Sequence, residues 1–323
     1  MKKLKNLIAA LVLFSLASCF HDDYTPHEHS FSDEWSYDED YHYHKSTRNY
    51  NAIADKGPHV MGDWQIETHE SETNAGLKYR KCKICEYRIN ETIPQKLEFT
   101  LIENNSSYSV KAASLNLEGS ISIPEVFGGK SVTTISESGF KLCTDIKSIS
   151  IPKTIINIED KAFSNCTLIE SITFSYGLKT IGNRAFHDID VLTELQIPNS
   201  VTSIGEECFS YCDSLKSIKL SDKITVIPKN SFSNCLYLKE IMLPDYVTEI
   251  GENAFSNCKN LISIFLPKSL SSVANIFSSC EKLENVTFEG TIEEFKAIKG
   301  DFGFTVATKV IHCSDGDLAI SQN

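Results

Sequence analysis

Positive charge is scarce in this chain of 323 residues. Lysine and arginine number 31 against 43 aspartates and glutamates, a net charge of −12. Nucleic-acid partners need a basic face to neutralise phosphates, so this balance argues against them, and equally against simple adsorption to an anionic membrane. Long apolar runs are lacking as well. The stretch from Leu7 to Leu16 is too short for a transmembrane helix. Catalytic signatures are missing: there is no G-x-S-x-G elbow, no H-E-x-x-H and no phosphate loop. Carboxylates are plentiful, but they follow the solvated faces of a repeat. The chain therefore reads as a non-enzyme. Residues 20–57 are poor in aliphatics and cannot build an ordinary core.

What the sequence has is rhythm. Phe140, Phe163, Phe186, Phe209, Phe232 and Phe255 recur every 23 residues, and Phe277 follows after 22. Three positions beyond each stands Cys143, Cys166, Ile189, Cys212, Cys235, Cys258 or Cys280. From that column, steps of three, six and eight land on aliphatic or Phe residues in every copy, as in Leu238/Ile241/Leu243 and Leu261/Ile264/Leu266. This L-x-x-L-x-L line is the strand signature of a leucine-rich repeat. A second apolar pair recurs further on, as in Ile155/Ile158 and Val247/Ile250. One such unit cannot bury its own apolar face, whereas stacked copies can, each advancing by about 5 Å. The fold class expected is a β-rich leucine-rich-repeat solenoid, a right-handed coil of ~23-residue repeats.

The segments "AFSNC", "IPNSVTSIGEECFSYCDSLKSIKL" and "LPDYVTEIGENAFSNCKNL" resemble the BspA-like leucine-rich-repeat family of bacterial surface proteins. The resemblance covers residues 97–316. It implies a binding protein of the cell surface, directed at host extracellular-matrix proteins or other bacteria.

Taken in order, residues 1–19 read as a targeting segment, with Lys2, Lys3 and Lys5 ahead of the apolar stretch. It ends Leu16-Ala17-Ser18-Cys19, which resembles the lipobox of bacterial lipoproteins and implies acylation of Cys19 and anchoring at the outer membrane. An ordinary cleavable signal with an incidental Cys is the other reading. The acidic residues after it, Asp22 and Asp23, resemble signals that export some lipoproteins to the cell surface. Residues 20–57 are expected to be an acidic, disordered tether. It carries His21, His27, His29, His42 and His44, which could collect divalent metal loosely or simply be solvated.

Residues 58–94 resemble a short Cys/His module of bacterial surface proteins, matched at His59, Trp64, Cys82 and Cys85. The resemblance expects a cysteine near Glu72. A structural zinc ion could be held by His59, Glu72, Cys82 and Cys85, with His69 as a spare. A lone Cys-x-x-Cys reads equally as a disulfide or a free thiol pair. No βαβ pattern surrounds it, which argues against a redox role.

Residues 95–135 are expected to form an N-terminal hairpin cap with the first half-repeat, 136–290 the repeats, and 291–323 a C-terminal helix-strand cap and tail. Thr291 is the expected helix cap, with Glu293 and Glu294 in the first turn. The repeat cysteines are expected to be buried free thiols, with oxidised neighbouring pairs as the alternative. His312 and Cys313 adjoin on a strand and so point to opposite faces, which excludes them as a nucleophile pair.

Function then rests on outward strand positions, which the fold leaves free. Met242, Ile262 and Phe265 are apolar there, bordered by Lys216, Lys219 and Lys239. An apolar patch of this kind is a candidate partner site for a protein ligand, on a chain expected to be monomeric. A glycan-capturing lipoprotein for nutrient uptake, or a periplasmic scaffold, are the alternatives.

Overall fold

The L-x-x-L-x-L lines become strands, because alternate apolar side chains turn to one side and neighbouring copies supply the pairing partners. The computed structural model describes residues 31–37, 41–46, 53–71, 73–93, 95–102 and 105–320. Residues 1–30, with Cys19, and Glu72 lie outside the described residues. The described chain divides into two units. One holds the strands Phe31–Tyr37, Tyr41–Ser46 and Ile53–Pro58 together with Lys78–Glu91; the other holds Ile66–Leu77 and the chain from Thr92 onward.

The larger unit is a leucine-rich-repeat solenoid of about nine turns. Each turn contributes two short strands. One column runs from Gly119–Ser122 through Ile146–Ile151, Ser217–Lys219, Glu240–Met242 and Ser263–Leu266 to Asn285–Phe288 and Val310–Cys313. The other carries the second apolar pairs, as in Asn157–Ile158, Thr180–Ile181 and Glu249–Ile250. Pairing within both columns is parallel, and the register equals the sequence period: Ser148 faces Ser171, Glu194 faces Ser217, and Glu240 faces Ser263.

The Phe column is fully buried from Phe140 to Phe277. Consecutive rings stack with centroids 5.0–5.9 Å apart. The stack continues into Phe304 and Phe302 beyond the last repeat. The residues two before and two after each Phe have positive φ, as in Asn230 and Asn234 or Asn253 and Asn257. Asparagine tolerates this conformation better than most residues, which accounts for its recurrence there. From Phe140 to Phe255 the resulting bend aims each Phe N–H at the carbonyl of the residue before the next Phe. Phe163 donates to Ala185 at 2.8 Å and Phe232 to Ala254 at 2.8 Å. A small side chain at that acceptor position lets successive turns approach closely.

The cysteine column serves the same bend. Cys166, Cys212, Cys235, Cys258 and Cys280 each donate an S–H to the carbonyl of the Phe one turn back, at 3.0–3.2 Å. No disulfide joins the described cysteines. Burial pushes the Cys143 thiol up to about 11 and that of Cys212 up to about 12, and holds Cys166, Cys208, Cys235 and Cys258 well above the usual range. A thiolate is the reactive form. We therefore expect iodoacetamide at mildly alkaline pH to leave these thiols unmodified in native protein and to modify them once denaturant is added; rapid native labelling of the column would contradict the packing. The same shifts set a pH dependence. A thiol whose folded pKa lies above its unfolded value keeps its proton longer in the native state, so the native state loses stability as pH rises past the ordinary thiol range.

At the C-terminal end, Ile292–Lys296 is a helix with a capping box: Thr291 Oγ1 accepts from the Glu294 N–H, and the Thr291 N–H donates to Glu294 Oε2. Strand Val310–Cys313 adds in parallel to Asn285–Phe288, then pairs antiparallel with Gly316–Ala319. At the other end Leu97–Ile102 and Ser107–Ala112 form an antiparallel hairpin, whose second strand pairs in parallel with Lys130–Ile135.

The smaller unit departs from the sequence expectation. Within the expected tether 20–57, Phe31–Tyr37, Tyr41–Ser46 and a third strand that begins at Ile53 and ends at Pro58 pair antiparallel. Their shared contacts are aromatic rather than aliphatic: Trp35 meets His42 edge-on at 4.7 Å and His44 at 4.0 Å, and Tyr37 meets Tyr87 at 5.9 Å. The boundary expected at residue 58 also disappears, because Lys78–Glu91 folds with these strands.

Candidate functional site

Outward side chains on parallel strands repeat at the spacing of the ladder, so two apolar residues at equivalent positions of adjacent turns must stand side by side. Met242 and Phe265 are register partners on Glu240–Met242 and Ser263–Leu266. Met242 is 72% exposed and Phe265 half-buried. They line a shallow groove of about 530 Å³ whose floor includes Ile241 and Ile264. Pro244 ends the strand before it, and the turn it starts brings Asp245 and Tyr246 to the rim, with Tyr246 68% exposed. Lys219, Asp222 and Glu240 also line it. Asp222 Oδ2 accepts from Asn199 Nδ2 at 2.7 Å, which fixes its carboxylate.

The expected patch is thus divided. Met242, Phe265 and Lys219 share the groove. Lys216, Lys239 and Ile262 stack in the column preceding the strands, where the Ile262 N–H donates to the Lys239 carbonyl at 2.8 Å. The cationic border shrinks to Lys219, and three carboxylates accompany it. Tyr246, Asp245 and Asp222 escape a reading of strand columns because they lie in turns, whereas Glu240 is an outward strand residue. The signal available was an aromatic two residues after the proline that closes a strand.

A second cluster lies in the smaller unit. His42, His59, Cys82 and Cys85 converge with one ligand atom each, all within 4.8 Å of one another. His42 pairs with Gly57 in the adjoining strand, and that strand runs straight into Pro58 and His59. Met61 bridges to Cys82, and the Lys83 N–H donates to the Val60 carbonyl at 2.8 Å, so the histidine segment and the Cys-x-x-Cys turn are held together by backbone. His59 Nδ1 is 3.4 Å from Cys85 Sγ, and His42 Nδ1 is 4.0 Å from Cys82 Sγ. Three residues of the expected metal set are therefore assembled. The fourth place is filled by His42, from the segment expected to be disordered; Glu72 lies outside the described residues. His69 is exposed. At the other end, His312 is exposed with Nδ1 2.9 Å from Asp317 Oδ1, and Cys313 forms no catalytic pair with it.

The repeats decide the family. A model of the BspA type leucine rich repeat region matches residues 95–216 and 179–298, in six copies. This chain belongs to the BspA-type leucine-rich-repeat family. Among solved structures, this chain is similar to several leucine-rich-repeat proteins. A leucine rich cell surface protein from Faecalibacterium prausnitzii A2-165 is 24% identical, with 58% of this chain and 64% of that one covered and a TM-score of 0.41. The leucine-rich-repeat protein of T. pallidum is 22% identical over 64% of this chain and 96% of that one, TM-score 0.45. One from Bacteroides ovatus ATCC 8483 is 23% identical over 68% and 70%, TM-score 0.44. The chain thus spans under two thirds of the F. prausnitzii protein. No curated protein sequence matches it. Among the described residues, no helix is long and apolar enough to cross a membrane.

Proposed function

We propose that this BspA-type protein is a non-enzymatic binding protein of the bacterial cell surface, which holds a protein partner in the groove of Met242, Phe265 and Tyr246. The observation that carries the reading is the adjacency of Met242 and Phe265: two apolar side chains placed outward on neighbouring strands, where the fold needs neither. An apolar centre with a polar rim is the usual anatomy of a binding hot spot. The rim carboxylates Asp222, Glu240 and Asp245 favour a partner segment that pairs an apolar residue with a basic one. Anchoring of the chain through Cys19 to the outer membrane belongs to the same reading and rests on the resemblance of Leu16–Cys19 to a lipobox; adhesion to host matrix or other cells rests on the resemblance of the repeats to the BspA-like family.

Tyr246 and Phe265 line the same groove as three carboxylates and offer stacking faces and acceptors for a sugar ring, which supports glycan capture as a second reading. Full-length protein screened against a host-matrix panel and a glycan array separates the two, and protease shaving of intact cells distinguishes a surface protein from a periplasmic scaffold. For a protein ligand found this way, the double variant Met242→Ser, Phe265→Ser is expected to weaken binding by about thirtyfold or more, the effect of losing one hot spot of about 2 kcal/mol. The melting temperature should barely move, because neither residue belongs to the buried core. Unchanged affinity removes the groove as the site.

A further inference from the structure

We propose that His42, His59, Cys82 and Cys85 hold one zinc ion in a tetrahedral N2S2 site that organises the smaller unit. This goes beyond the binding role proposed for the repeats and does not depend on it.

The geometry suits the ion. Zinc bonds of about 2.3 Å to sulfur and 2.0–2.1 Å to nitrogen, at tetrahedral angles, put sulfur and nitrogen ligands about 3.6 Å apart. Two of the four sulfur–nitrogen pairs stand at 3.4 and 4.0 Å, and all four ligand atoms lie within 4.8 Å of one another. His42, Cys82 and Cys85 are each at least nine-tenths buried, at 4, 6 and 8% exposure. Two imidazoles and two thiols do not gather in a buried spot for the sake of apolar packing; they do so where a metal uses their lone pairs.

The surroundings favour the bound form. The Ile84 N–H points at Cys82 Sγ from 3.5 Å, and the Cys82 N–H donates to the Tyr87 carbonyl at 2.9 Å, which closes the Cys-x-x-Cys turn. Tyr87 stacks on the His59 ring at 4.0 Å and Trp35 lies edge-on to His42, so both imidazoles are oriented. Second-sphere contacts of this kind fix ligand rings at metal sites.

The unit also has a physical need for the ion. Among the residues of this unit whose side chains are described, only the two cysteines belong to the buried hydrophobic set. Small domains without such a core are commonly held by a structural metal. One zinc would join the strand of His42, the segment of His59 and the turn of Cys82 and Cys85, three pieces distant in sequence. Binding involves no redox step: Zn2+ takes four lone pairs, and each cysteine S–H releases its proton to water.

The test is elemental analysis of the full-length chain, purified in detergent under reducing conditions and without a metal-chelating tag, followed by Co2+ substitution. One zinc per chain is expected, and Co2+ should give the intense visible bands of a tetrahedral site with sulfur-to-metal charge transfer. His42→Asn should lower zinc content severalfold, His42→Cys should restore it, and Glu72→Gln should leave it unchanged. The rescue by cysteine separates a ligand from a residue that merely supports the strand. A chain that takes up neither zinc nor Co2+ overturns the proposal. So does a zinc content that falls with Glu72→Gln and ignores His42→Asn.

Discussion

Phe209→Ala is expected to destabilise the solenoid by about 3–5 kcal/mol, the range for deleting a fully buried aromatic ring. Phe209 has no exposed surface and stands between Phe186 and Phe232, with centroid separations of 5.7 and 5.5 Å. Both neighbours are stacked within 10° of parallel, so neither can tilt into the space without losing its own outer partner. The cavity therefore stays open, which places the cost at the upper part of the range. Two stacking contacts vanish at Phe209, each worth about 0.5–1.5 kcal/mol beyond area. Phe140→Ala breaks only the contact to Phe163 within the column and should cost correspondingly less. A repeat array is stabilised by nearest-neighbour interfaces, so a mid-column gap should also split cooperative unfolding into two phases. Urea unfolding of the full chain, followed by circular dichroism, reads both. A loss below about 1 kcal/mol with one sharp transition means that the stack is decoration and that the aliphatic lines alone hold the coil.

The stack was legible in the sequence because its signal is additive. Seven aromatic residues in phase cannot arise without a structural cause, and the lines at Ile241/Leu243 and Ile264/Leu266 fix which side faces inward. Periodicity is silent where burial uses other chemistry. Tyr41-His42-Tyr43-His44 has no aliphatic residue, and strand formation there depends on Trp35 and the adjoining chain, a tertiary fact. His42 was invisible as a ligand for a related reason: 40 residues separate it from Cys82, and only strand pairing through Gly57 brings it near. The groove was half legible. Met242, Phe265 and Glu240 follow from the strand register, whereas Asp222, Asp245 and Tyr246 come from turns, which strand columns do not report. The positive-φ residues flanking each Phe were present in the sequence as a recurrence of Asn, but side-chain periodicity does not report backbone handedness.

The C-terminal junction gives the second large effect, through a backbone contact with no tolerance. Gly300 lies in the strand Lys299–Asp301, in register with Val273 of Ser272–Ala274, at φ 104°. A Cβ there would stand 1.8 Å from the Val273 carbonyl oxygen. Backbone cannot yield by that much, so Gly300→Ala must part the two strands. Their separation frees Phe302 and Phe304, which extend the ring stack past Phe277, and withdraws the Phe302 carbonyl that accepts from the Phe277 N–H at 2.9 Å. The end of the apolar core and a strand edge then face water, a template for association between chains. Gly129→Ala is the matched control. Its φ is 79°, but an added Cβ meets nothing within 4 Å, so it incurs only the backbone cost of about 1–2 kcal/mol. Gly300→Ala should exceed that by at least about 2 kcal/mol, a further fall of roughly 4–8 °C in Tm for a unit of this size, and should show oligomers by light scattering. Equal melting temperatures for the two variants mean that the final strand is an appendage rather than the cover of the last repeat.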